Sequence, residues 1–135
     1  MRILLPSLLI FAAACTPTAR DLQRQADAEA GQRAALDKAL AGLVPGRPQN
    51  CVEEFRLRES NRYGGTIVYR SIGGSERIVN HTTGDCGGGF DTILVTRTPT
   101  GQLCRGDIAQ VVDRVSHMTV GSCSYGEFVP YSRAR

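Results

Sequence analysis

A chain of 135 residues, 41% of them hydrophobic but with no tryptophan, four phenylalanines and four tyrosines, has room for one domain with a small, largely aliphatic core. Its formal charge of +3 is dispersed without a basic block, so nothing argues for nucleic acid as a partner. A core this modest invites covalent help, and there are five cysteines to supply it.

Met1-Arg2 is a short positive start, and Ile3 to Ala14 is an apolar run that closes on Ala12-Ala13-Ala14. Residues 1–14 therefore read as a secretory signal peptide. The run is shorter than the roughly twenty residues of a membrane span, and Pro6 interrupts it. Cys15 follows directly. Small residues ahead of a cysteine at the end of an apolar run resemble the lipobox of bacterial lipoproteins, although Ala12 stands where leucine is commonest. That resemblance implies that Cys15 carries a diacylglyceryl thioether and becomes an acylated, palmitate-type membrane anchor. Cysteine parity agrees, because Cys51, Cys86, Cys104 and Cys123 form an even set and Cys15 is the one left over. The alternative is a soluble periplasmic protein cut after Ala14. Thr16 stands where inner-membrane retention usually calls for aspartate, which points to the outer membrane, facing the periplasm.

Thr18 lies three residues before Asp21, the spacing of a capping box, and a proline-free run rich in Ala, Gln, Arg, Glu and Leu predicts a helix over 19–43. Leu22, Ala26, Leu36, Ala39, Leu40 and Leu43 approximate one face, but it is mostly alanine and Gly31 falls in its middle. So narrow a stripe reads as a spacer rather than a coiled-coil or partner-binding segment. Gly42, Pro45, Gly46 and Pro48 then break the helix. The resulting division is an anchor and stalk over 15–48, a β-domain over 49–130 and a basic tail over 131–135.

From Asn50 onward the periodicity is that of strands. Cys51 to Leu57 is half-buried in pattern, Thr66 to Arg70 is cleaner, and Arg77 to Asn80 is its hairpin partner across Gly73-Gly74-Ser75. Phe90 to Thr98 is the strongest strand, with Ile93, Leu94 and Val95 continuous enough to predict a place at the centre of a sheet. Short strands at Leu103-Cys104, Ile108 to Val115 and Thr119 to Tyr125 complete the set. The pattern predicts a mainly β fold, a small antiparallel sandwich or open barrel of six to seven strands, preceded by one N-terminal helix.

Four cysteines in such a domain could hold zinc or form two disulfides. Zinc ligands come as close pairs, whereas these are far apart, so with an export signal the reading is disulfides and no metal. Three pairings are open, and sequence alone does not select one. The nested arrangement, Cys51 with Cys123 and Cys86 with Cys104, is preferred because it ties the first strand to the last.

Cys51, Gly84-Asp85-Cys86, Leu103-Cys104-Arg105-Gly106-Asp107 and Gly121-Ser122-Cys123 together resemble a family of small exported proteobacterial proteins, a four-cysteine β-domain of unknown function with a Leu/Ile-Cys-x-Gly-Asp signature. The resemblance covers about residues 49 to 129. It implies an envelope location and disulfides, and it brings no catalytic residue and no cofactor.

Candidate chemistry is thin. His81 with Asp85 and Asp91, or His117 with Asp113, could form an acid–base or metal site, but polar loop histidines are usually only that. Gly84 to Gly89 lacks the lysine and helix of a phosphate loop and reads as backbone packed around a disulfide. Arg105, Gly106 and Asp107 spell an integrin-type tripeptide and read as a structural turn closed by the Asp107 carboxylate. No nucleophile elbow or triad is present. The expectation is a non-catalytic, lipid-anchored envelope module that binds a protein or glycan partner or serves a structural role. A small periplasmic enzyme or inhibitor built around His81, Asp85 and Asp91 is the alternative.

Overall fold

The structure, a computed structural model, describes residues 17–84, 86 and 91–134. The signal segment, Cys15, Thr16, Asp85 and Gly87–Phe90 lie outside the described residues. Helix α1 runs Ala19–Leu40. Thr18 caps it: the Asp21 N–H donates to Thr18 Oγ1 at 3.3 Å and the Thr18 N–H donates to Asp21 Oδ2 at 3.2 Å, the reciprocal pair that satisfies two orphan amides. None of the helix residues is buried. The helix stops short of Leu43 because Gly42 takes φ +75°, a conformation in which glycine has no Cβ penalty.

Eleven strands follow among the described residues: β1 (Leu43–Pro45), β2 (Cys51–Glu53), β3 (Leu57–Tyr63), β4 (Thr66–Ser71), β5 (Arg77–His81), β6 (Thr83–Gly84), β7 (Thr92–Thr96), β8 (Gln102–Cys104), β9 (Ile108–Asp113), β10 (Thr119–Ser124) and β11 (Phe128–Arg133). They exceed the six or seven expected because β1 and β6 are two or three residues long, too short for any periodicity to show, because the run from Cys51 to Leu57 divides into β2 and the start of β3, and because β11 reaches into the segment read as a tail. The five-stranded sheet has the order β1-β11-β5-β4-β3, the four-stranded sheet β6-β10-β9-β7, and β2-β8 form a small ribbon. Every pairing is antiparallel, and the result is a mainly β, sandwich-like fold. Inward residues of the sheets and ribbon, among them Val52, Ile67, Tyr69, Ile78, Leu103, Ala109, Tyr125 and Phe128, make one core.

The boundaries drawn from composition move. Residues 43–45, assigned to the linker, pair with residues 131–133, assigned to the tail. The two termini of the β-unit are thus joined by a hydrogen-bonded ladder that glycine, proline and arginine content obscures.

The nested disulfide pairing is wrong. Cys51 is bonded to Cys104, and Cys86 to Cys123. The reason is register. Cys51 and Cys104 stand directly opposite each other in the β2–β8 ribbon, their Cα atoms 4.0 Å apart. Cys123 sits on β10 opposite Gly84 of β6, which delivers Cys86 to it with Cα atoms 5.2 Å apart. First-to-last closure, the motive for the nested pairing, is made by β1 and β11 instead.

The strand expected at the centre lies at a margin. β7 ends the four-stranded sheet, with β9 as its single neighbour among the described residues, and Ile93 and Val95 on its outer face are 40% and 38% exposed.

Candidate functional site

A groove lined by apolar and hydroxyl-bearing side chains opens where β7 and β3, the margins of the two main sheets, approach each other. Arg62 of β3 marks that approach: its guanidinium donates to the Thr92 carbonyl at 2.8 Å, the Thr92 hydroxyl at 3.0 Å and the Cys86 carbonyl at 3.3 Å. Beyond Arg62 the two edges part into a groove of about 390 Å³. Leu57, Leu94 and Leu103 wall it, Val95 adds to its β7 side, Glu54, Arg58 and Ser60 stand at the rim and Tyr69, Tyr125 and Thr96 at the floor.

The floor is a chain of hydroxyls. Tyr69 donates to the Tyr125 oxygen at 3.2 Å, and that oxygen lies 3.1 Å from Thr96 Oγ1. Tyr69 is inward-facing on β4, where Ile67 and Tyr69 share the core side of the pleat. Burial, then the neighbouring Tyr125, pushes the Tyr69 phenol well above its ordinary value, so Tyr69 is a neutral hydrogen-bonding group.

Tyr125 is set in place by the Arg105–Asp107 turn. The Gly106 N–H donates to the Tyr125 carbonyl at 2.8 Å, and the Tyr125 N–H donates to the Asp107 carbonyl at 3.0 Å. The turn is itself closed by the Asp107 carboxylate, which accepts from the Cys104 N–H at 2.8 Å, and Gly106 takes φ +92°, open without strain to glycine. The Arg105 side chain is paired with Glu127 at 3.2 Å. The Leu103–Asp107 stretch therefore serves as a socket for Tyr125.

At the rim, Glu54 accepts a 2.6 Å bond from the Thr98 hydroxyl. Arg58 is exposed and has no ion-pair partner among the described residues. The groove thus offers apolar walls, hydroxyls below and, in Arg58, a cation at its lip without an ion-pair partner among the described residues. Two other crevices are less equipped. That of about 630 Å³ beside Gly73–Ser75 has no buried residue in its lining. That of about 540 Å³ between α1 and the β3–β4 turn includes Thr66, whose hydroxyl is 3.0 Å from His81 Nδ1.

The residues singled out for acid–base chemistry do not assemble here. His81 closes β5 with its ring nitrogen on Thr66, while Asp91 precedes β7 at the opposite margin of the four-stranded sheet from β6; Asp85 lies outside the described residues. His117 sits at φ 58° in the β9–β10 turn. There the Asp113 carboxylate accepts from the Ser116 and Val115 amides at 2.7 and 3.0 Å and from the Ser116 hydroxyl at 3.0 Å. Those hydrogen bonds, Ser116's first, hold the Asp113 carboxyl below its ordinary value, and they make it a turn cap. Among the described residues no three His, Cys, Asp or Glu side chains gather as a metal site would require.

Sequence reading missed the groove. Tyr69 and Tyr125 are 56 positions apart, and no local pattern links them. The one available signal was that a buried tyrosine needs a partner for its hydroxyl.

The fold and groove define a small disulfide-bonded antiparallel β-protein with an exposed helical extension. No protein-family model, curated protein or solved structure matches this chain.

Proposed function

We propose that the chain is a cell-envelope lipoprotein whose β-unit is a non-catalytic binding module, held at the periplasmic face of the outer membrane by an acylated Cys15. The groove carries the binding part of this reading. Hydroxyls beneath apolar walls recognise a ligand by shape and hydrogen bonding. The anchoring part is supported by the odd cysteine behind an apolar leader and by the two disulfides, which are a feature of extracellular and periplasmic chains. It also fits a capped helix with no buried residue. Twenty-two residues at about 1.5 Å each reach roughly 33 Å, enough to hold the β-unit clear of a bilayer surface.

The reading is tested in cells by placing a photo-cross-linking residue at Ser60 in the groove, or at Ser75 in the remote β4–β5 turn, and feeding a palmitate analogue. The expected result is an acylated protein in the outer-membrane fraction that forms a discrete adduct from position 60 and none from 75, with Cys15→Ala losing both label and fraction. An unlabelled wild-type chain refutes anchoring. An acylated chain without an adduct from position 60 refutes the binding module.

A further inference from the structure

The composition of β7 contradicts its position. Thr92-Ile93-Leu94-Val95-Thr96 holds no charge and no proline, and its register with β9 runs from Thr92↔Asp113 to Thr96↔Ala109 without a bulge. Such runs belong inside sheets, and natural sheets blunt their margins with charges, prolines, bulges or brevity. The other three margins of the two main sheets are blunted in this way. β1 is three residues with Pro45, and β6 is two residues. β3 carries Arg58, Glu59 and Arg62 and breaks register between Leu57 and Ser60. Among the described residues, β7 alone carries none of these devices.

Its free hydrogen-bonding groups can be located. The Asp91 carbonyl accepts from the Arg114 N–H, on the β9 side, at 2.8 Å. The Thr92 carbonyl accepts from Arg62, on the β3 side. Along a regular strand the backbone groups of successive residues point to opposite sides. Ile93 and Val95 therefore bond to β9, and Leu94 and Thr96 turn their N–H and C=O groups into the groove, which both residues line.

We propose that β7 accepts an extended segment of a partner polypeptide as an added strand in this groove, paired to the Leu94 and Thr96 backbone. The proposal rests on the binding-module reading and names the partner class. Alternate side chains of the added strand point down onto Leu57, Leu94, Leu103 and the Tyr69 and Tyr125 hydroxyls, a surface suited to medium apolar or hydroxyl-bearing residues. An acidic residue at the lip pairs with Arg58. The occupant is a single extended strand, because β3 forms the opposite wall of the groove through Leu57, Arg58 and Ser60.

The test uses the mature chain with both disulfides intact and a displayed library of random linear heptapeptides. Enriched peptides are expected to alternate apolar residues and to carry Asp or Glu. They should slow hydrogen exchange at the Leu94 and Thr96 amides, and N-methylation of alternate peptide nitrogens should weaken binding about tenfold or more, the equivalent of about 1.4 kcal/mol. Leu94→Pro should weaken binding similarly, since proline is tolerated at an edge position whose N–H faces away from the sheet. The N-methyl scan keeps the outcome decisive should that variant fold poorly. Failure to enrich any peptide, protection of amides elsewhere, or a methylation scan without alternation each overturns docking on β7. An adduct from position 60 in cells alongside such a failure leaves the binding module standing with a different occupant.

Discussion

Asn80 is wholly buried, and its side chain does the work of a missing stretch of ladder. Its amide donates to the Gly126 and Glu127 carbonyls at 2.9 and 3.2 Å and accepts from the Gly126 N–H at 3.0 Å, continuing the pairing that Phe128↔Asn80 begins. Gly126 must be glycine there, because a Cβ would run into the His81 carbonyl oxygen. Tyr69, on the same sheet, carries a pH signature. A phenol whose folded value is raised above 10.0 adds stability that is fully present below that pH. As pH rises further the unfolded chain ionises and the folded one does not, so stability falls. Urea midpoints measured between about pH 8 and 11 should decline steeply above pH 10 for the wild type and less steeply for Tyr69→Phe. Equal slopes would show that the Tyr69 phenol ionises as readily folded as unfolded.

Among the elements, the two bridges act on different parts of the fold. Cys51–Cys104 staples the β2–β8 ribbon under the groove wall formed by Leu103, and Cys86–Cys123 fixes the segment after β6 to β10. Their sequence separations of 53 and 37 imply about 4 kcal/mol each on a chain-entropy model, a large share of a stability of about 5 to 15 kcal/mol. The paired substitution Cys51→Ser with Cys104→Ser should lower the unfolding free energy by about 4 kcal/mol in urea titration. A loss under about 1 kcal/mol would mean that the ribbon is held by its core contacts, chiefly buried Val52 and Leu103. Strand periodicity made most of these elements readable. Disulfide partners were not readable, because they follow from which strands adjoin, a long-range fact that spacing along the chain does not encode.

For the molecule as a whole, the helix is a surface element that touches the β3–β4 turn, Gln32 lying beside Gly64. No helix among the described residues is long and apolar enough to cross a membrane, and none of the residues of α1 is buried. Its capping box, legible in Thr18 and Asp21, sets where it begins without tying it to the core. Deleting residues 17–40 should change the unfolding free energy by less than about 1 kcal/mol, as expected for surface changes away from packed features. A larger loss in thermal or urea unfolding would show that the helix is part of the cooperative unit. The candidate site was far less legible than the fold. His81, Asp85 and Asp91 stand out in sequence as the residue types that do chemistry, whereas the groove is made of a leucine wall, two tyrosines and a threonine, types that fill any β core.

The amino-acid order alone determined what is local: the helix start at Thr18, the β period after Asn50, the need for disulfides in a tryptophan-free core, and the glycine-dependent turn at Arg105–Asp107. Tertiary structure alone decided which cysteines join, that residues 43–45 and 131–133 close the sheet, and that the strand holding Ile93, Leu94 and Val95 lies at a margin. Those outcomes depend on strand order. Strand order is set by how all the apolar faces can be covered at once, and no single segment carries that information.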